Sequence, residues 1–345
     1  MLWFVGLGIS GHRSISLDAQ NILKKADIVY LEQFTSIIPK SDITKLKKLV
    51  KGEFKAVKRW MVEDGQEILQ NAKKKNVVLM SYGDPYIATT HIELRTRAIQ
   101  EKIKTNTIHA SSVLTALVGE CGLHYYKIGK VVTVMKEIQT STSAYYAIYG
   151  NLLAGDHTIL LLEYNQDADF FLDPEDALSN LLAAEKEQTR NVLPQNIFAI
   201  VASRIGLKDQ RITAGKISSL MKLDFGKPPH TIIIPGSLHF TESDALKILA
   251  KCVDEPTDNS AQIKKISDQM MEKYIPMVKK ALEEITPHYK DSKEFRLVLE
   301  NAQLYIEDAK KCHAQGKDEL AVLSIGYADG LVDALRMAKG FEPKI

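Results

Sequence analysis

From residue 2 to about residue 250 the chain alternates short apolar runs with amphipathic stretches, and this alternation constrains the fold more than any other feature. The runs Leu2–Gly8, Asp27–Leu31, Val77–Ser81, Thr107–Ala110, Val131–Val134, Thr158–Glu163, Ile197–Ala202 and Thr231–Pro235 read as strands. Between them, "SLDAQNILKKA", "EDGQEILQNAKKKN", "DPEDALSNLLAAEKEQ" and "ESDALKILAKC" read as helices, most behind a Ser or Asp cap. Such alternation packs as parallel or mixed sheets covered by helices. Eight strands exceed one compact sheet. The stretch near 108–114 is a natural hinge between two α/β domains, 1–110 and 111–252.

The pattern then changes. "VDEPTDNSAQ", residues 253–262, is polar, carries a Pro and has no periodicity, so it reads as a linker. Beyond it no strand is expected. Phe295, Val298, Leu299, Ala302, Tyr305, Ile306 and Ala309 repeat at helical spacing, as do Ala321, Ser324, Ile325, Ala328, Leu331, Val332 and Leu335. A first helix around 262–285, interrupted or kinked at Pro276, completes an all-α three-helix domain over 263–345.

Bulk properties exclude several classes. A net charge of +2 gives no global attraction to a polyanion, and no basic patch is interleaved with aromatics, so no direct nucleic-acid contact is expected. Cys121, Cys252 and Cys312 are far apart, odd in number and form no CxxC, which argues against a disulfide framework or a zinc site. Neither a basic n-region nor an apolar run of membrane-spanning length is present, so a cytoplasmic protein away from membranes is the expectation.

"FVGLGISGHRS", residues 4–14, has the spacing Gly6-x-Gly8-x-x-Gly11 of a dinucleotide loop. In that motif a helix opens at the third glycine, so that its amides meet the pyrophosphate. Here "HRSIS" intervenes, and the first good cap is Ser16. Glu32 stands where the ribose-binding acid belongs, so a nicotinamide or flavin enzyme and an unrelated strand-to-loop turn both stay open. In "MSYGDPYIATTHIELR", Gly83-Asp84-Pro85 makes a tight turn that holds a carboxylate at a strand end; an ordinary turn reads the same. Ser111-Ser112 stands at a strand-to-helix junction, where a plain N-cap is equally good, and His230 opens a late strand. There is no GxSxG elbow, no phosphate-binding GxxxxGK[ST] and no His/Cys ligand cluster, so no metal is expected and no catalytic side chain is assigned.

Taken together, these motifs resemble the tetrapyrrole-methylase-type S-adenosylmethionine methyltransferases. "FVGLGI", "DIVYLEQFTS", "GDPYIATTHIELR", "GLHYYKIGK" and "FGKPPHTIIIPGSLH" are similar to the diphthine synthase branch, from residue 1 to about 250. The resemblance implies two α/β domains with a cofactor cleft between them and S-adenosylmethionine as methyl donor. It also implies a usual homodimer and, as protein partner, translation elongation factor 2, whose 3-amino-3-carboxypropyl-histidine is methylated on its amino group several times. Carried over motif by motif, the cofactor-binding positions are Ile9, Asp84, Ile87, Ser112, Val113, Leu162, Ile205 and His230. "LENAQLYIEDAK" and "VLSIGYADGLVDALRM" resemble an archaeal helical domain of unknown function, with Asp329 and Asp333 on one helix face.

Methyl transfer from a sulfonium needs mainly alignment of nucleophile, carbon and sulfur, which agrees with the missing nucleophile and metal motifs. An amine of pKa about 7.7–8 needs no strong base. Three readings compete: a methylase of a corrinoid precursor, a methylase of ribosomal RNA, and a catalytically idle scaffold. The appended helices are expected to place the enzyme near its protein substrate; unchanged activity on intact elongation factor after deletion of 255–345 would count against that.

Overall fold

In the protein's structure, a computed structural model, residues 1–342 are described. The last three residues of the 263–345 helical segment lie outside them. Two compact units divide at residue 261.

The first unit holds two sheets. Strands β1 (Leu2–Gly6), β2 (Ile28–Glu32), β3 (Glu53–Val57), β4 (Val77–Ser81) and β5 (Thr105–Ile108) form a parallel sheet of order β3-β2-β4-β1-β5. Alternate residues feed two cores. Phe4, Tyr30 and Leu79 pack with Leu69 and Leu94 on one face. Val5, Leu31 and Met80 pack with Ala19, Leu23 and Leu46 on the other. Helices therefore cover both faces, which is why the inner strands are apolar throughout.

The second sheet is mixed. It comprises β6 (Val132–Val134), β7 (Thr158–Leu162), β10 (Phe198–Ser203), β11 (Arg211–Lys216), β12 (His230–Ile234) and β13 (Lys251–Cys252), in the order β13-β11-β10-β12-β7-β6. The pairs β11–β10, β10–β12 and β12–β7 are antiparallel, while β13–β11 and β7–β6 are parallel, so simple βαβ repetition stops here. Between β7 and β10, β8 (Tyr164–Asn165) and β9 (Phe170–Phe171) make a small hairpin.

Five strands thus go beyond those legible in the sequence: β3, β8, β9, β11 and β13. β3 reads "EFKAV" and lies at a sheet edge, where its charged residues meet solvent and Lys55 pairs with Glu67. β8, β9 and β13 are only two residues long. Residues 253–261 are no free linker. Val253 N donates to Ala214 O, Asp254 accepts from Lys216 N, and the buried Asn259 amide bonds Phe198 on both sides and Pro235 O.

In the second unit the helices Ile266–Ile285, Lys293–Ala314 and Asp318–Ala338 share one core that includes Val278, Ala302, Ile306, Ile325 and Val332. The first helix is not interrupted at Pro276 but runs through it, giving up one ladder bond. Among the described residues, no helix is long and apolar enough to cross a membrane.

Candidate active site

All five strands of the parallel sheet end on the same edge, so the segments that follow them stand side by side. Arg59 follows β3, Phe34–Ser36 follow β2, Gly83 and Ile87 follow β4, Ile9 follows β1, and Ser112 and Val113 follow β5. Every one of these lines a single cleft of about 530 Å³. The opposite wall comes from the second sheet: Leu162 ends β7, Ile205 follows β10, His230 opens β12, and Tyr164 and Phe171 stand on the hairpin. Ligands of open α/β sheets bind at such carboxyl edges.

The glycines explain how the walls close up. A Cβ on Gly6 would lie 2.6 Å from Gly83 O and 2.8 Å from Ala110 Cβ, so only glycine lets the two loops touch. Gly8, at φ 71°, then exchanges backbone hydrogen bonds with Gly83 in both directions, at 3.1 and 3.0 Å. Ile9, next along, packs into the core of the second sheet together with Val113 and Ile205, and Ser10 Oγ donates to Gly206 O at 2.6 Å. After a short turn at Gly11–Arg13, the helix opens at Leu17 with Ser16 accepting from Ala19 N. The helix that follows β1 in the chain does not open at the glycines, as the dinucleotide motif requires, and what remains is a loop that joins two walls.

Seven of the eight expected cofactor positions line the cleft: Ile9, Ile87, Ser112, Val113, Leu162, Ile205 and His230. Asp84 does not. Its buried carboxylate accepts from Tyr86 N at 3.0 Å, His109 Nδ1 at 2.8 Å and Ala110 N at 3.2 Å, so it shapes the turn that carries Gly83 and Ile87. Ser112 caps the helix Val113–Glu120 by accepting from Leu114 N, which leaves its hydroxyl proton free to donate. His230 is buried, its Nδ1 is 2.9 Å from Ser203 Oγ, and burial lowers its pKa, so the ring facing the cleft is neutral. Sequence reasoning missed Arg59, Tyr164 and Phe171, because all three depend on strands too short or too polar to read.

Behind the cleft stands Glu32, fully buried, with Oε2 accepting from Phe34 N and Thr35 N at 3.0 Å each. Burial pushes its carboxyl up to about 7, against the opposing hydrogen bonds from Thr35 and Phe34. The fold holds this proton more tightly than the unfolded chain, so its stabilisation is present at low pH and lost as pH rises through about 7. His91, His157 and His230 act oppositely. Burial lowers each pKa, so their contribution is present above the ordinary histidine value and lost as pH falls through it. Glu32→Gln removes the opposing contribution, so stability of the first unit rises more steeply from about pH 5 to 6.5 in this variant than in the unaltered protein. Urea midpoints of both proteins across this range check it; equal slopes would contradict it.

Comparison with known proteins agrees with this geometry. The tetrapyrrole (corrin/porphyrin) methylase family matches residues 1–221. The diphthine synthase of Methanosphaera stadtmanae is 36% identical over 252 residues, covering 72% of this chain and 96% of its own. This chain belongs to the diphthine synthase family. It is accordingly a methyltransferase. The diphthine synthase of Methanocaldococcus jannaschii is 33% identical over 256 residues, covering 73% of this chain and 99% of its own. A crystal structure of diphthine synthase, 30% identical, superposes with a TM-score of 0.66 over 73% of this chain and 96% of its own. A conserved hypothetical protein of Aeropyrum pernix, 25% identical, gives 0.68 over 76% and 94%. A family of unknown function, DUF357, matches residues 273–341, the helical addition to the diphthine synthase part.

Proposed function

We propose that this protein transfers methyl groups from S-adenosylmethionine, in succession, to the amino group of the 3-amino-3-carboxypropyl-histidine of translation elongation factor 2, within diphthamide biosynthesis. The observation that carries the reading is the meeting of Ile9, Val113 and Ile205 in one apolar patch on the cleft, held there by the Gly8–Gly83 exchange. The names of the diphthine synthase relatives support the substrate.

The residues present suit such a donor. The apolar patch offers a wall for adenine, and the first-turn amides behind Ser112 suit the carboxylate of its methionine part. A cleft of about 530 Å³ is of ordinary cofactor size. When bound, the donor supplies an electrophilic methyl carbon on a good leaving group. The protein's part is to align the nucleophile with it and keep water out, which Tyr164 and Phe171 do from the hairpin. The amine would take the methyl group in its neutral form as the donor's carbon–sulfur bond breaks, and any N–H proton left on the product ammonium would pass to solvent.

Titration with S-adenosylhomocysteine and, separately, NADH tests this. Micromolar binding of the first and none of the second is expected. Asp84→Ala should weaken it by about tenfold or more, since hydrogen bonds to a charged group contribute about 1.5–3 kcal/mol to the turn. Binding of NADH alone, or of neither, would sink the reading. A cytoplasmic homodimer belongs to the same proposal. The exposed Tyr125, Tyr126 and Phe240, gathered where the His124 and His239 rings meet at a tilt with centroids 5.4 Å apart, support a self-association surface. A monomeric mass by sedimentation would count against it.

A further inference from the structure

The order of the strands gives the cleft two ends. Ile9, Ser112 and Val113 follow β1 and β5, while Arg59 follows β3 at the other edge of the sheet, with Phe34–Ser36 between. Neighbouring strands are about 4.8 Å apart, so three spacings put the β3 end about 14 Å from the β1 end. Positions suited to the methyl donor thus occupy one end and leave the other for the acceptor.

Arg59 is the one full cation among the described residues lining this cleft, since His230 is held neutral. Its Nε donates to Glu63 Oε1 at 2.7 Å, whereas its Nη nitrogens have no protein partner among the described residues. On the reading above, the acceptor arm carries both the amine to be methylated and a carboxylate. A carboxylate that leaves water for a cleft needs a cation or several donors, and a guanidinium presents two parallel N–H groups to it.

We propose that Arg59 binds the carboxylate of the acceptor arm and so orients the amine along the sheet edge toward the donor. The inference rests on the acceptor proposed above. The same chemistry would also suit the carboxylate of the methyl donor, and the test separates the two.

Arg59→Ala, Glu63→Gln and the unaltered protein would be compared for S-adenosylhomocysteine affinity by calorimetry. KM and kcat would be measured on elongation factor 2 bearing the unmethylated arm, and the thermal transition would be recorded for each. Arg59→Ala should raise the acceptor KM by about tenfold or more, with inhibitor affinity and thermal transition unchanged. Glu63→Gln, which removes the competing carboxylate, should not raise KM. If Arg59→Ala instead weakens S-adenosylhomocysteine binding, the arginine serves the donor and the inference fails. An unchanged acceptor KM in Arg59→Ala overturns it as well. Absence of methyl transfer by the unaltered protein would overturn the acceptor reading itself, which is a separate result.

Discussion

Glu242→Ala will lower the unfolding free energy of the first unit by about 3–5 kcal/mol, the usual cost of stranding a buried charged partner. Glu242 has no exposed surface. Its Oε1 accepts from His124 N at 2.7 Å and His157 Nε2 at 2.9 Å; its Oε2 accepts from Lys127 Nζ at 2.9 Å and His239 N at 2.8 Å. Because His157 Nδ1 accepts from Gly236 N, the other ring nitrogen must carry the proton that Glu242 receives. Burial alone would raise this carboxyl, but these four donors hold it at about 2. Its contribution is therefore full above the ordinary carboxylate value and is lost as pH falls through about 2. Alanine leaves a buried imidazole N–H, an ammonium and two backbone amides without their acceptor. Denaturant titration at neutral pH reads the effect, and a loss below about 1 kcal/mol would mean that water replaces the carboxylate freely.

The second large effect is expected at Gly6. Gly6→Ala puts a methyl 2.6 Å from a backbone oxygen and 3.0 Å from Pro85 Cδ, where neither neighbour is the end of a flexible chain. The Gly83 turn must move, which breaks its bonds to Gly8 and shifts Ile9 away from Val113 and Ile205. Overpacking of this kind costs about 1–3 kcal/mol in stability. The larger consequence is functional: S-adenosylhomocysteine affinity should fall by about a hundredfold, because both loops of the cleft are displaced at once. Gly119→Ala is the control. A Cβ there meets nothing within 4 Å, and the position is inside the helix Val113–Glu120, so binding should be kept and stability should rise slightly. Equal behaviour of the two variants would show that the loop contact does not shape the site.

These two residues also mark what a sequence can disclose. The inner strands β1, β2 and β4 are buried on both faces, so their apolar runs announce them. Ser16 and Ser112 declare their helices because a side-chain acceptor for an end amide is a local matter. The glycine spacing was visible, but its meaning depended on where Gly83 comes to lie, 75 or more residues along the chain. Asp84 looked like a ligand group; its partners His109 and Ala110 come from the end of β5, on the far side of β1 from β4, and only the fold shows that the carboxylate already holds the turn. Glu242 drew no notice in an unremarkable "TESDALK", since its four donors come from segments beginning as far back as residue 124. The antiparallel β11 and the short hairpin carry no periodic signal at all, and with them the hairpin wall of the cleft stayed hidden.

The most direct test is methyl transfer itself. The protein would be incubated with S-adenosylmethionine and elongation factor 2 bearing the unmethylated 3-amino-3-carboxypropyl-histidine, and the modified peptide followed by mass spectrometry. The account predicts successive gains of one methyl group on that histidine's arm, abolished by S-adenosylhomocysteine and lost in Gly6→Ala. An unmodified peptide under conditions where S-adenosylhomocysteine binds would contradict it, and would leave a methylase whose acceptor is some other molecule.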